Sequence, residues 1–161
     1  MGRILAAVVA AAVLAGGGDG AAASPMAFSN EVDPDTAYRV DFVGPSSIVG
    51  VTLQLERPAD VLVQFTSTAT AETAEGCPCS LRAFLRMDGG PLMPVKLVNL
   101  GWPDAAARGG QVRDRHSLDG SLVFPADAGT HRFELLVQQA TGKSIDLRIY
   151  HPNLQAIAFP H

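Results

Sequence analysis

From residue 46 onward, apolar and polar positions alternate with period two rather than with the three-to-four spacing of a helix. In "SIVGVTLQLE", Val49, Val51, Leu53 and Leu55 alternate with Ile48, Gly50, Thr52, Gln54 and Glu56, so one face is apolar and the other turns polar. Val61, Val63 and Phe65 share a face of "DVLVQFTS", and Leu81, Ala83, Leu85 and Met87 share a face of "SLRAFLRM", with Arg82 and Arg86 pointing the other way. Phe133, Leu135 and Val137 oppose Arg132, Glu134 and Gln138, and Ile145, Leu147 and Ile149 oppose Ser144, Asp146 and Arg148. Each run predicts a half-buried β-strand. Shorter candidates at 38–43, 94–99, 121–124 and 154–159 bring the total to about nine.

The separators carry turn chemistry: Arg57-Pro58 with Asp60, Asp88-Gly89-Gly90-Pro91, Asp119-Gly120, Ala128-Gly129-Thr130, Thr141-Gly142-Lys143 and His151-Pro152-Asn153. Only 69–74 and 104–108 could form a helical turn, and both are too short to persist alone. Many short strands with almost no helix predict an all-β fold, an antiparallel β-sandwich of jelly-roll type. The last third sharpens this. The stretch "PADAGTHRFELLVQQ", with its Ala-Gly-Thr turn into a long amphipathic strand, is followed by a Gly turn and "SIDLRIYHPNLQAIAF". Over residues 79–160 this order of strands and turns resembles the closing strands of jelly-roll modules such as the secreted tumour necrosis factor-type proteins. The resemblance rests on spacing and implies the fold and a trimeric habit. It carries over no functional residue.

The first 23 residues do not fit that pattern. Arg3 precedes an apolar run from Ile4 to Ala15, and small residues ending Ala21-Ala22-Ala23 follow. This is the layout of a secretory signal peptide with cleavage before Ser24. The run is well short of the ~20 apolar residues needed to span a bilayer, and no cysteine follows it to carry a lipid. Residues 1–23 are therefore expected to be removed and 24–161 to form one extracytoplasmic domain, not inserted in the membrane. The formal net charge is −4, and the leader holds one Arg and one Asp, so cleavage leaves the balance unchanged. A mildly acidic chain offers no electrostatic reason to bind nucleic acid or an anionic membrane. In "RGGQVRDRH", Asp114 interrupts the one basic run, as in a solvated loop.

Cys77 and Cys79, in "GCPCS", are the only cysteines. In an extended strand their Cα atoms would stand at most ~7 Å apart, at the top of the disulfide range, so a bridge needs the bend that Gly76 and Pro78 supply. In an exported chain a structural bridge, within or between chains, is the leading reading. Copper(I) held by the thiolates, a redox pair and free thiols are the alternatives.

Catalytic patterns are sparse: no Gly-x-Ser-x-Gly elbow, no His-Glu-x-x-His and no phosphate-cradling loop. His131 begins a strand beside Phe133, as an edge histidine with hydrogen-bond partners would, and His116, His151 and His161 stand beside no nucleophile. Asp33-Pro34-Asp35 offers two carboxylates for Ca²⁺, though such a loop pair is ordinarily solvated. Trp102 in "LGWPDA", with Tyr38 and Tyr150, supplies the few aromatic surfaces a glycan could stack on. Ile157 and Phe159 lie opposite Leu154, Ala156 and Ala158, so this strand is apolar on both faces. Its outer face needs a cover, and a second subunit anchored on these two residues is the expected one, with a loop folded back over it as the alternative. Together these features predict a non-enzymatic interaction module, self-associating and without cofactor. A carbohydrate-binding or glycan-active domain using the Trp102 loop and a metal-handling protein using Cys77 and Cys79 are the alternatives. The leader gives the first test: the exported protein should begin within two residues of Ser24 by intact mass, and secreted material retaining Met1 would contradict it.

Overall fold

The computed structural model describes residues 24–161 except 32, 34, 41, 74 and 102–113. Among these residues there are nine β-strands and no helix. They are β1 (Met26–Asn30), β2 (Ala37–Arg39), β3 (Ser46–Leu55), β4 (Ala59–Ala71), β5 (Cys79–Met87), β6 (Met93–Leu100), β7 (Asp114–Ala126), β8 (Gly129–Thr141) and β9 (Leu147–Pro160). One sheet has the order β1-β9-β4-β7, with β2 also on β9, and the other the order β3-β8-β5-β6. All ladders are antiparallel.

Apart from β2, the pairings nest. β1 meets β9, β3 meets β8, β4 meets β7 and β5 meets β6, as in a long two-stranded ribbon folded back on itself. Ladders β4–β9 and β5–β8 then close the ribbon into two sheets. That is a jelly roll. Short turns at 56–58, 88–92 and 127–128 gather at one end. The longer connections 40–45, 72–78, 101–113 and 142–146 leave from the other.

Between the sheets lie Val61, Val63 and Phe65 of β4, Leu81, Ala83 and Leu85 of β5, Phe133, Leu135 and Val137 of β8, and Leu147, Ile149, Leu154, Ala156 and Ala158 of β9, all buried. Alternation assigned most of these faces, but not all. Ile48 is buried and Val49 only half-buried, because a register shift between Ser47 and Val49 inserts a bulge that reverses the alternation. His151-Pro152-Asn153 is not a turn: it is a bulge within β9, with His151 at φ 50° and a register shift opposite Thr66 to Thr68. The runs expected at 145–149 and 154–159 are thus one strand, and Ile145 is exposed ahead of it while Ser144 is buried.

Asp119-Gly120 likewise lies inside β7, where a Cβ on Gly120 would come within 2.5 Å of Val95 Cγ1; glycine allows the close approach. The candidate at 38–43 shortens to Ala37–Arg39, residues 69–71 extend β4 rather than forming a helical turn, and Met26–Asn30 is a strand that the pattern did not signal. The helical turn expected at 104–108 lies outside the described residues.

Cys77 and Cys79 form a disulfide, with S–S 2.01 Å and Cα–Cα 4.4 Å, and the Cys77–Pro78 peptide is cis. Three glycines with positive φ surround it: Gly76, Gly101 and Gly142. A Cβ on Gly101 would stand 2.3 Å from Cys77 Cβ and one on Gly142 2.5 Å from Cys79 Cβ, while the Lys143 amide donates to the Gly76 carbonyl at 2.9 Å. A bridge local in sequence is therefore packed where three long connections meet. Closing so short a loop constrains the unfolded chain little, so replacing both cysteines by Ser should lower unfolding free energy by no more than about 2 kcal/mol in urea titration. Gly142→Ala should cost more, since it meets backbone and Cys79 at once. Failure of the double variant to fold would contradict this reading.

Candidate functional site

A sandwich buries one face of each sheet, so the chemistry on offer lies on the two outer faces. Across the first sheet, register aligns Met26 with Ile157, Ile157 with Leu62 and Leu62 with Val123. This apolar row takes one residue from each of four strands, and Phe28 and Phe159 flank it. Met26 is 58% exposed, Phe28 65%, Val123 52% and Phe159 52%. Toward the loop end follow Gln155 and Gln64 beside Ser121, then Asn30, Asn153 and Thr66 with Asp119. Beyond the bulge come Tyr150 with Thr68, then Arg39, Arg148, Thr70 and Arg115 in one row.

In the arginine row, Arg148 is paired with a carboxylate. Arg148 Nε donates to Asp146 Oδ1 at 2.9 Å, which raises its pKa, and Tyr150 Oη donates to Glu72 Oε1 at 2.8 Å. Burial, with Glu72 as hydrogen-bond partner and charge, raises the Tyr150 pKa. A cleft of about 450 Å³ beside them mixes both signs: Arg39, Arg148, Glu75 and Asp146 line it with Thr73 and Ile145.

Ile157 is half-buried between Met26 and Leu62, and Phe159 stands at the rim of the same outer face. Tyr38 and Tyr150 are not brought together. Tyr38 pairs with Ile149 and turns toward the core, its hydroxyl donating to Glu31 Oε2 at 2.9 Å; burial and then Glu31 raise its pKa. Tyr150, next along β9, takes the outer face. Trp102 lies outside the described residues, as does the leader. With both sulfurs in the bridge, Cys77 and Cys79 offer no thiolate, and among the described residues no three metal-ligating side chains cluster. Asp33 is engaged in its own turn, accepting from the Asp35 amide at 2.9 Å and from Thr36 Oγ1 at 3.1 Å. His131 has a partner at each ring nitrogen, Asp88 Oδ2 at 2.7 Å and the Asp127 carbonyl at 2.9 Å. The hydrogen bond to Asp88 foremost raises its pKa.

The second sheet presents a different face. Glu134 is the only carboxylate in its four strands. Arg86 holds it through Nε at 3.1 Å and Nη2 at 2.7 Å, and Arg132 through Nε at 3.3 Å. Gly50 leaves room for Arg132, whose Nη2 would be 3.0 Å from a Cβ there. Burial pushes the Glu134 pKa up, but hydrogen bonds and charge from Arg86 and Arg132 outweigh it and hold it below the usual range. Beside this triad Gln138, Arg82 and Leu97 form one row across β8, β5 and β6. The hydroxyls of Ser80 and Thr141 meet at 2.7 Å in the row above. These residues and Phe84 line a cleft of about 280 Å³. Sequence reasoning placed Arg82 and Arg86 outward but gave them no role. The available signal was that the arginines of these strands face a single acid.

No family model matches the chain, and neither does any curated protein. Among solved structures it is similar to dimeric latent PorU from Porphyromonas gingivalis, with a TM-score of 0.54 and 10% identity over 90% of this chain. The chain spans 14% of the length of that protein, so the likeness is one of fold. It also matches the EclA C-terminal domain, a sugar-binding protein, with a TM-score of 0.40 and 16% identity over 74% of this chain and 75% of that one. Neither is described as a tumour necrosis factor-type module, and what stands of that resemblance is the β-rich sandwich.

The triad gives a pH test. Because the folded-state pKa of Glu134 is depressed, its stabilisation is present above the unfolded carboxylate pKa and is lost as pH falls through the folded value. Glu134→Gln should be less stable than the parent by about 1–2 kcal/mol at pH 7, with the gap closing as acid protonates the folded-state carboxylate. Urea titrations at pH 7 and through the acid range check this; a gap that persists in acid would contradict it.

Proposed function

We propose that the chain is an exported, non-catalytic binding module that self-associates through the outer face of its first sheet. The carrying observation is the row Met26–Ile157–Leu62–Val123, extended by Phe28 and Phe159. Contiguous exposed apolar surface is uncommon on soluble monomers and marks contact sites. A second copy of the chain suits this face for two reasons. Most neighbouring side chains are amides and hydroxyls, each donor and acceptor at once, so that much of the surface complements itself, with the carboxylates of Asp60, opposite Phe159, and Asp119, opposite Thr66, beside it. A two-fold axis through the apolar row also sends the two Arg39–Arg148–Arg115 rows to opposite ends, so like charges do not meet. The leader and the Cys77–Cys79 bridge support export.

Light scattering on the mature protein at micromolar concentration should give a mass above that of one chain. Leu62→Asp or Phe159→Asp should shift it toward the monomer, weakening association at least about tenfold, since each removes a buried apolar side chain. A wild-type monomer at tens of micromolar would overturn the reading.

A further inference from the structure

We propose that the outer face of the second sheet binds an acidic sugar, its oxyanion held by Arg82 and its ring seated in the cleft between Gln138, Phe84 and Leu97. Charge is distributed unevenly on this molecule. The whole chain carries net −4, yet the four strands of this sheet hold Arg82, Arg86, Lys96 and Arg132 against Glu134 alone. Glu134 is shared by Arg86 and Arg132, and Lys96 reaches across to Asp119 on β7 at 3.8 Å. Arg82 makes no ion pair among the described residues, and no carboxylate lines the cleft beside it. The surface is thus complementary to one negative group.

The rest of the lining decides what carries that group. A guanidinium grips a carboxylate or sulfate through two parallel N–H bonds. Gln138, Ser80 and Thr141 add uncharged donors and acceptors on the same face, the pattern that ring hydroxyls require. Phe84 and Leu97 supply an apolar floor for the C–H face of a sugar. A nucleic acid would need several phosphate contacts against an acidic protein. At about 280 Å³ the cleft is at the small end of ligand sites, sized for one ring of a chain rather than a polymer segment. A uronic carboxylate and a sulfate ester present the same chemistry, an oxyanion on a pyranose.

Calorimetric titration of the mature protein with oligogalacturonate, its fully methyl-esterified form and a sulfated neutral oligosaccharide tests the proposal. Binding of either acidic probe, at least tenfold tighter than of the ester, is expected; which of the two binds identifies the oxyanion. Arg82→Ala should weaken that binding at least tenfold, and Arg82→Lys should recover part of it. Arg39→Ala, on the opposite sheet, should bind as the parent does. The monomeric Leu62→Asp variant should also bind normally, so failure of self-association and failure of sugar binding are read separately. Equal affinity for the ester, an unaffected Arg82→Ala whose thermal unfolding matches the parent, or no binding of either acidic probe at millimolar concentration would overturn it.

Discussion

The ladder between β4 and β7 constrains the rest of the sandwich. Ala59 to Ala71 pair with Ala126 to Asp114 with no shift in register, the longest unbroken ladder in the molecule. A slip of one residue would turn Val61, Val63 and Phe65 out to solvent and Leu62 and Gln64 into the core, so burial holds the register. β9 must then match β4 from the other side, and its sequence does not do so with simple alternation. Leu147 and Ile149 are odd-numbered core residues, while Leu154, Ala156 and Ala158 are even-numbered. The bulge at His151 absorbs one residue and returns both halves of β9 to the core face. Proline, which has no N–H for the ladder, is tolerated at such a place.

From that register the outer faces follow. With one face of each sheet committed to the core, the residues between core positions are displayed in rows fixed by the same pairings. On the first sheet the rows run from apolar through amide and hydroxyl, with Asp119 among them, to arginine, of which Arg148 is paired with Asp146. On the second they form a cationic face with one shared acid, and the Arg82 guanidinium makes no ion pair among the described residues. The two faces thus differ in chemistry, and the partners we propose for them differ accordingly, a second copy of the chain on one side and an acidic sugar on the other. At the loop end the Cys77–Cys79 bridge packs against Gly101 and Gly142, beside Gly76.

The period-two pattern made the fold class legible, together with the inward faces of β4, β5 and β8, because those strands keep their parity from end to end. It misled where parity breaks. Val49 and the His151-Pro152-Asn153 stretch were misread for the same physical reason: a bulge leaves the same trace in sequence as a turn or a slipped face. Gly120 in β7 is a glycine demanded by a close approach from Val95, which no local signal distinguishes from a turn glycine. The expected count of nine strands matches the structure partly because β1 was missed while β9 was divided in two. At the sites, the outward position of Ile157, Phe159 and Arg82 could be read locally. That Leu62 and Val123 continue the row of Ile157, or that Gln138 and Leu97 flank Arg82, depends on pairings between distant segments.

Amide hydrogen exchange, resolved by residue on the mature protein, tests this account most directly. If the β4–β7 ladder governs the fold, the amides of Val61 to Phe65 should be among the slowest to exchange, opening only with global unfolding, while those of β1 and β2 exchange through local fraying. If β4 exchanges as fast as these short strands, or β7 is unprotected opposite it, the nested pairing is wrong, and with it the rows of side chains on both outer faces.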